Sequence, residues 1–140
     1  PAVVRDQPAV VRDQPAVVRR VALGIVLGAR SGDKGGDANV GLWVPEWVAA
    51  PRRERTYTWL AGWLTPDRVR ELLPDAVGLD VDVHAFPQLA AVNVVLHGFL
   101  GRGVAANTLL DPQAKGLGER LRARLVDVPV DLLDDEPAVE

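Results

Sequence analysis

Between positions 77 and 86 the chain reads VGLDVDVHAF, and apolar and polar residues alternate with a period of two. Val77, Leu79, Val81 and Val83 fall on one side, and Asp80, Asp82 and His84 on the other, as in a strand buried on one face only. The stretch AAVNVVLHGFL, 90–100, is more continuously apolar and predicts a central strand. The short PQLA link makes the two an antiparallel hairpin. Upstream, RRVALGIVLGA (19–29) is apolar and β-branched up to Gly28 and predicts one strand, and ANVGLWV (38–44) alternates and predicts another.

Between these strand pairs the period changes. RRERTYTWLAGWL (52–64) sets Tyr57, Leu60 and Leu64 at helical spacing, with Trp59 and Trp63 one turn apart beside them. TPDRVRELLP (65–74) opens a helix: Thr65 caps, Pro66 takes the first helical position, and Asp67 meets the positive end of the dipole. DPQAKGLGERLRARLV (111–126) predicts a third helix with Leu117, Leu121 and Leu125 on one stripe. DVPVDLL then reads as a short edge strand before an acidic tail, 134–140. Strand pairs alternating with helices predict an α+β fold, a two-layer sandwich of one mainly antiparallel sheet with helices on one face.

Ahead of this domain, which spans 20–133, residues 1–19 form a repetitive arm; its units PAVVRDQ, PAVVRDQ and PAVVRRV run over 1–21 and so reach into the first residues of the domain. A heptad invites a coiled-coil reading, but a proline in every unit removes a helical donor and clashes one turn back. The units are extended or polyproline-like, and two roles stay open: a length-tolerant linker, or an arm that adds as an edge strand to a partner.

Composition narrows the function. The 140 residues carry 48% hydrophobic and 25% charged residues, normal for one globular domain, and a net charge of −3, which opposes nonspecific nucleic-acid binding. Cysteine is absent, so thiolate chemistry and disulfides are excluded, and two histidines make no His-rich metal site. No apolar run approaches the roughly 18 residues of a membrane span, Arg and Asp interrupt the apolar stretches at the start as they would not in a signal peptide, and the expected location is cytoplasmic.

Two glycine-rich segments hold the candidate chemistry. GARSGDKGGDAN (28–39) is too long and polar for a tight hairpin. Gly32, Gly35 and Gly36 permit a nest of backbone N–H groups, while Arg30, Ser31 and Lys34 offer a fork, a hydroxyl and a charge suited to phosphate. Asp33 and Asp37 oppose a bare anion site and would brace the loop by bonding its amides. Ligand loop and structural turn both remain open here. The second segment, LHGFLGRGVAANTLLD (96–111), carries Gly98, Gly101 and Gly103 with Arg102 and Asn107 nearby. Asn93 and His97 share strand parity with Val95; His97 is either a hydrogen-bonded core imidazole or part of a site, and His84 reads as a surface residue. Trp59 and Trp63 read as core or interface anchors, and Trp43 and Trp47 as markers of a partner surface.

Taken together, GARSGDKGGDANVGLW, TPDRVRELLP, NVVLHGFLGRGVAANTLLDPQAKGLGERLR and VDVPVDLL resemble the C-terminal ferredoxin-fold domain of the acyclic terpene utilisation protein AtuA and its actinobacterial relatives, over about residues 20–133. Many relatives carry SGDKGD, whereas here Gly36 follows Gly35 and the acid is displaced to Asp37. The resemblance implies a ferredoxin-like fold, a role in catabolism of acyclic terpenes and branched acyl-CoA compounds alongside biotin-dependent carboxylases, and a large partner domain in the same chain or a separate one. On this reading the two glycine-rich loops form a polar pocket for a phosphorylated or CoA-linked acyl group, with a CoA thioester as ligand and no resident cofactor or metal. Arg30, Ser31, Gly32, Lys34, Gly35, Gly36, Asn39, Gly101, Arg102 and Gly103 would bind, and His97, Asn93 and Asp33 are the catalytic candidates. The competing expectation is an assembly domain without chemistry of its own, packing on the large domain or forming a homo-oligomer.

Overall fold

The computed structural model describes residues 2–3, 17–101 and 116–133. Its main sheet has five strands, all antiparallel, in the order β1 (Ala2–Val3), β5 (Val81–Phe86), β6 (Ala91–Leu96), β4 (Asp37–Trp43) and β3 (Gly28–Lys34). A smaller sheet pairs β2 (Val18–Ala22) with β7 (Leu125–Pro129). Among the described residues the α-helices are α1 (Ala50–Trp63), α2 (Pro66–Leu72) and α3 (Leu117–Ala123). Mixed α+β architecture with an antiparallel sheet is what the alternating pattern requires, and it is consistent with a ferredoxin-like fold.

Register sorts the residues of the sheet into two faces. Val40 lies opposite Val94, and Val94 opposite Val83. Together with Ala38, Leu42, Val92, Leu96, Val81 and Ala85 they form a buried apolar layer. Leu60 and Leu64 from α1, Val69 and Leu73 from the α2 region, and Leu117 and Leu121 from α3 complete the core. Truncating one such leucine to alanine costs about 2–5 kcal/mol. Among the described residues no helix packs on the other face, where Asp37, Asn39, Asn93, Asp82 and His84 stand beside Ala91, Val95 and Trp43.

Helix α2 starts as its sequence dictates, with Thr65 Oγ1 accepting from the Arg68 N–H at 3.1 Å and Pro66 in the first turn. Three boundaries differ from the sequence pattern. The apolar run 19–29 is not one strand: a 3-10 turn at Leu23–Ile25 divides β2 from β3. Arg122 secures that turn by donating to the carbonyls of Leu27 and Gly24. Leu125 is not on the α3 stripe, because the helix ends at Ala123 and Leu125 opens β7, 59% exposed, while Val126 and Val128 point inward. The strand expected from Val77 begins at Val81, after a turn in which Gly78 takes φ +89°.

Candidate functional site

A fourth departure bears on the site. GARSGDKGGDAN is not an extended loop. Gly28–Lys34 and Asp37–Trp43 pair residue for residue, from Gly28 opposite Trp43 to Lys34 opposite Asp37, leaving Gly35 and Gly36 as a two-residue turn. Gly35 sits at φ +64° and Gly36 outside the left-handed region, the pattern of a hairpin turn with glycine at its first central position. Strand pairing satisfies backbone groups that a loop would have offered to an anion.

That register divides the candidate residues between two faces. Ala29, Ser31 and Asp33 share the side of Leu42, Val40 and Ala38, toward the helices; Arg30, Gly32 and Lys34 share the helix-free side with Gly41, Asn39 and Asp37. Ser31 Oγ accepts the Gly118 N–H at 3.0 Å and so fastens β3 to the start of α3. A cleft of about 370 Å³ lined by Ala29, Arg30, Ser31, Gly118 and Glu119 runs along this contact. Ser31 and Lys34 therefore do not converge, and Asp33 and Lys34 project to opposite sides.

Across the helix-free face, one register row runs Arg30, Gly41, Asn93, His84, and the next runs Gly32, Asn39, Val95, Asp82. Gly41 and Gly32 floor this part of the face: a Cβ on Gly41 would meet nothing closer than 3.9 Å, and one on Gly32 nothing closer than 3.8 Å. Trp43 bounds it at one end, its indole lying so close over Gly28 that a Cβ there would fall 2.6 Å from the ring. Neither Arg30 nor Lys34 forms an ion pair among the described residues.

His97 closes the opposite end. Its Nε2 lies 2.8 Å from Asp82 Oδ2 and its Nδ1 3.4 Å from Asp37 Oδ2. The His97 N–H donates to the Asp80 carbonyl, extending the β5–β6 ladder by one residue. The hydrogen bond to Asp82 raises the imidazole pKa above its usual 6.5 against the opposing effect of desolvation, and the charges of Asp82 and Asp37 reinforce the rise. Each ring nitrogen faces a carboxylate, so the doubly protonated ring, which donates at both, fits this geometry best.

The two glycine-rich segments do meet. Gly98 N–H donates to Asp37 Oδ1 at 2.7 Å, and Leu100 N–H to the Gly36 carbonyl at 3.0 Å. Asp37 thus braces an amide, as the sequence suggested, but of the second segment. Gly101 follows directly, whereas Arg102, Gly103 and Asn107 lie outside the described residues. Sequence reasoning passed over Asp82 as a site residue. Its place on the polar side of 77–86 was visible, but not its neighbour.

A separate apolar groove of about 590 Å³ lies between α1 and the turn after β7, walled by Trp59, Trp63, Pro129 and Leu132. The two indoles stack at 4.7 Å, and the Arg68 guanidinium lies 5.1 Å over the Trp63 ring. None of the predicted binding residues lines it. Among the described residues, no group of three or more His, Cys, Asp or Glu side chains is placed to hold a metal ion, and no helix is long and apolar enough to cross a membrane.

A family model described as the AtuA ferredoxin-like domain matches residues 21–127, from β2 to β7. No curated protein and no solved structure matches the chain.

Proposed function

The chain belongs to the AtuA ferredoxin-like domain family, and from that membership we propose that it serves a protein of acyclic terpene or branched acyl-CoA catabolism by receiving a CoA-linked acyl ligand on the helix-free face of its sheet. The observation that carries the reading is the pair of cations, Arg30 and Lys34, on that face without an ion-pair partner among the described residues, beside a floor made by Gly32 and Gly41. Phosphate oxygens would take the guanidinium fork and the ammonium. The amides of Asn39 and Asn93 supply donors for a thioester carbonyl, and His97, loaded with a proton by its carboxylates, stands at the far end. Ser31 belongs to the scaffold in this account. A large AtuA-type domain, in the same chain or separate, would cover the face, with acyl-CoA carboxylase proteins as neighbours in the pathway. Isothermal titration of a CoA thioester into the wild type and Lys34→Ala tests the reading: binding weakened by the substitution supports it, and no binding to the assembled protein removes it.

A second reading is supported by Trp47 and Leu89, 70% and 64% exposed, which flank Trp43 in one patch. In it the domain is an assembly module that packs on the large domain or on a second copy. Light scattering after size exclusion separates the two, because the assembly reading requires a stable complex without ligand.

A further inference from the structure

Arg53, in the first turn of α1, carries a guanidinium that the fold leaves unused. Its Nε is buried without a hydrogen-bond partner, and no carboxylate among the described residues pairs with it. A buried donor left unmet is rare and points to an acceptor from outside the chain. Arg53 joins two clefts. One, of about 380 Å³, lies between α1 and the 3-10 turn Pro87–Leu89 and is lined also by Tyr57 and Ala90. The other, of about 590 Å³, is walled by Trp43, Trp47 and Leu89. Both have the size of small-molecule sites, in which apolar walls surround a few convergent polar groups. Ala90 takes φ +50°, the one non-glycine residue in the left-handed region among the described residues, and such strain gathers at ligand sites. Burial raises the Tyr57 phenol pKa above the usual 10, so the hydroxyl stays a donor. Helix α1 begins without a side-chain cap and with no acidic residue in its first turn, so its positive end adds to the charge of Arg53.

We propose that these joined clefts bind a monocarboxylate with an apolar body, its carboxylate on Arg53 and Tyr57 and its body along Trp47 and Leu89. A guanidinium fork and a phenol O–H are donors matched to carboxylate oxygens. The apolar body accounts for two large hydrophobic side chains standing open beside an unpaired cation, Trp47 at 70% and Leu89 at 64% exposure. The charges nearby set the ligand's own charge. Glu54 lines the first cleft and Glu46 the second, both exposed, so a second negative group on the ligand would meet repulsion on either side. The same acids oppose the several phosphates of a CoA thioester. The inference therefore stands apart from the acyl-CoA reading: a free acid here, and a thioester at the cations of β3.

The test titrates the full chain with octanoate and with octanol, which keeps the apolar body and drops the charge. Isothermal titration should give octanoate an affinity about tenfold or more above that of octanol, the worth of a charge-assisted pair. The Arg53 Nε–H resonance should move as octanoate saturates. Arg53→Gln should weaken octanoate about tenfold, leave octanol unchanged and keep an unfolding midpoint near that of the wild type. Tyr57→Phe should weaken octanoate about threefold, and Glu54→Gln, which removes a like charge, should tighten it about twofold. The proposal is overturned if the wild type binds no octanoate or binds the two probes equally, or if Arg53→Gln binds octanoate undiminished or loses both probes together. Octanoate binding that disappears as protein concentration rises would give the clefts to a second copy, which also overturns it.

Discussion

His97 Nε2 lies 2.8 Å from an Asp82 carboxylate oxygen, although 15 residues separate the two in the chain. The contact raises the imidazole pKa in the folded protein above the usual 6.5. A group with a raised folded pKa adds stability that is fully present below its unfolded pKa and is lost as pH rises through the folded value. Asp82→Asn should therefore lower the His97 titration midpoint toward 6.5, followed by NMR of the ring protons, and the stability difference between wild type and variant should shrink as the pH is raised from about 6. A wild-type midpoint at or below 6.5 would contradict the assignment.

Gly35 and Gly36 should behave differently despite their adjacency. Gly35→Ala places a Cβ at φ +64° and should cost about 1 kcal/mol in urea unfolding. Gly36→Ala meets open space outside the left-handed region and should be near neutral. Equal losses at the two would mean that the turn has another geometry.

Ser31 and Lys34 separate scaffold from surface. Ser31→Ala strips the partner from the Gly118 N–H and should cost about 1 kcal/mol or more. Lys34→Ala should stay within about 0.5 kcal/mol, as exposed changes do. Chemical denaturation of both variants measures the contrast.

Gly28 owes its identity to Trp43. Gly28→Val would drive a side chain into the indole 2.6 Å away, which forces the ring off its floor. The variant should be destabilised by about 1–3 kcal/mol, and Trp43 fluorescence should shift toward that of an exposed indole.

Much of this fold was legible in the chain. The alternations at 38–44 and 81–86 give strands and the correct buried faces, and Thr65–Pro66 gives the start of α2 within a residue. What hid β3 was its composition. GARSGDK is polar at most positions because one side meets the opening turn of α3 through Ser31 and the other belongs to the helix-free face. No local propensity reports that arrangement. The turn at Leu23–Ile25 was hidden by the opposite condition, since an unbroken apolar run carries no period. Leu125 continues an i, i+4 series that the helix itself does not continue. Asn93 and His97 were legible as candidates, but the partners of His97 come from β4 and β5, and sheet order decides that.

The central claim is that the helix-free face receives a CoA-linked ligand, and backbone amide shift mapping during titration with acetyl-CoA tests it most directly. The account predicts saturable shifts confined to Arg30, Gly32, Lys34, Asn39, Gly41, Asn93 and His97, strongly reduced in Lys34→Ala, with the Trp59–Trp63 groove unmoved. Shifts centred on that groove, or none at saturating ligand in the assembled protein, would contradict it.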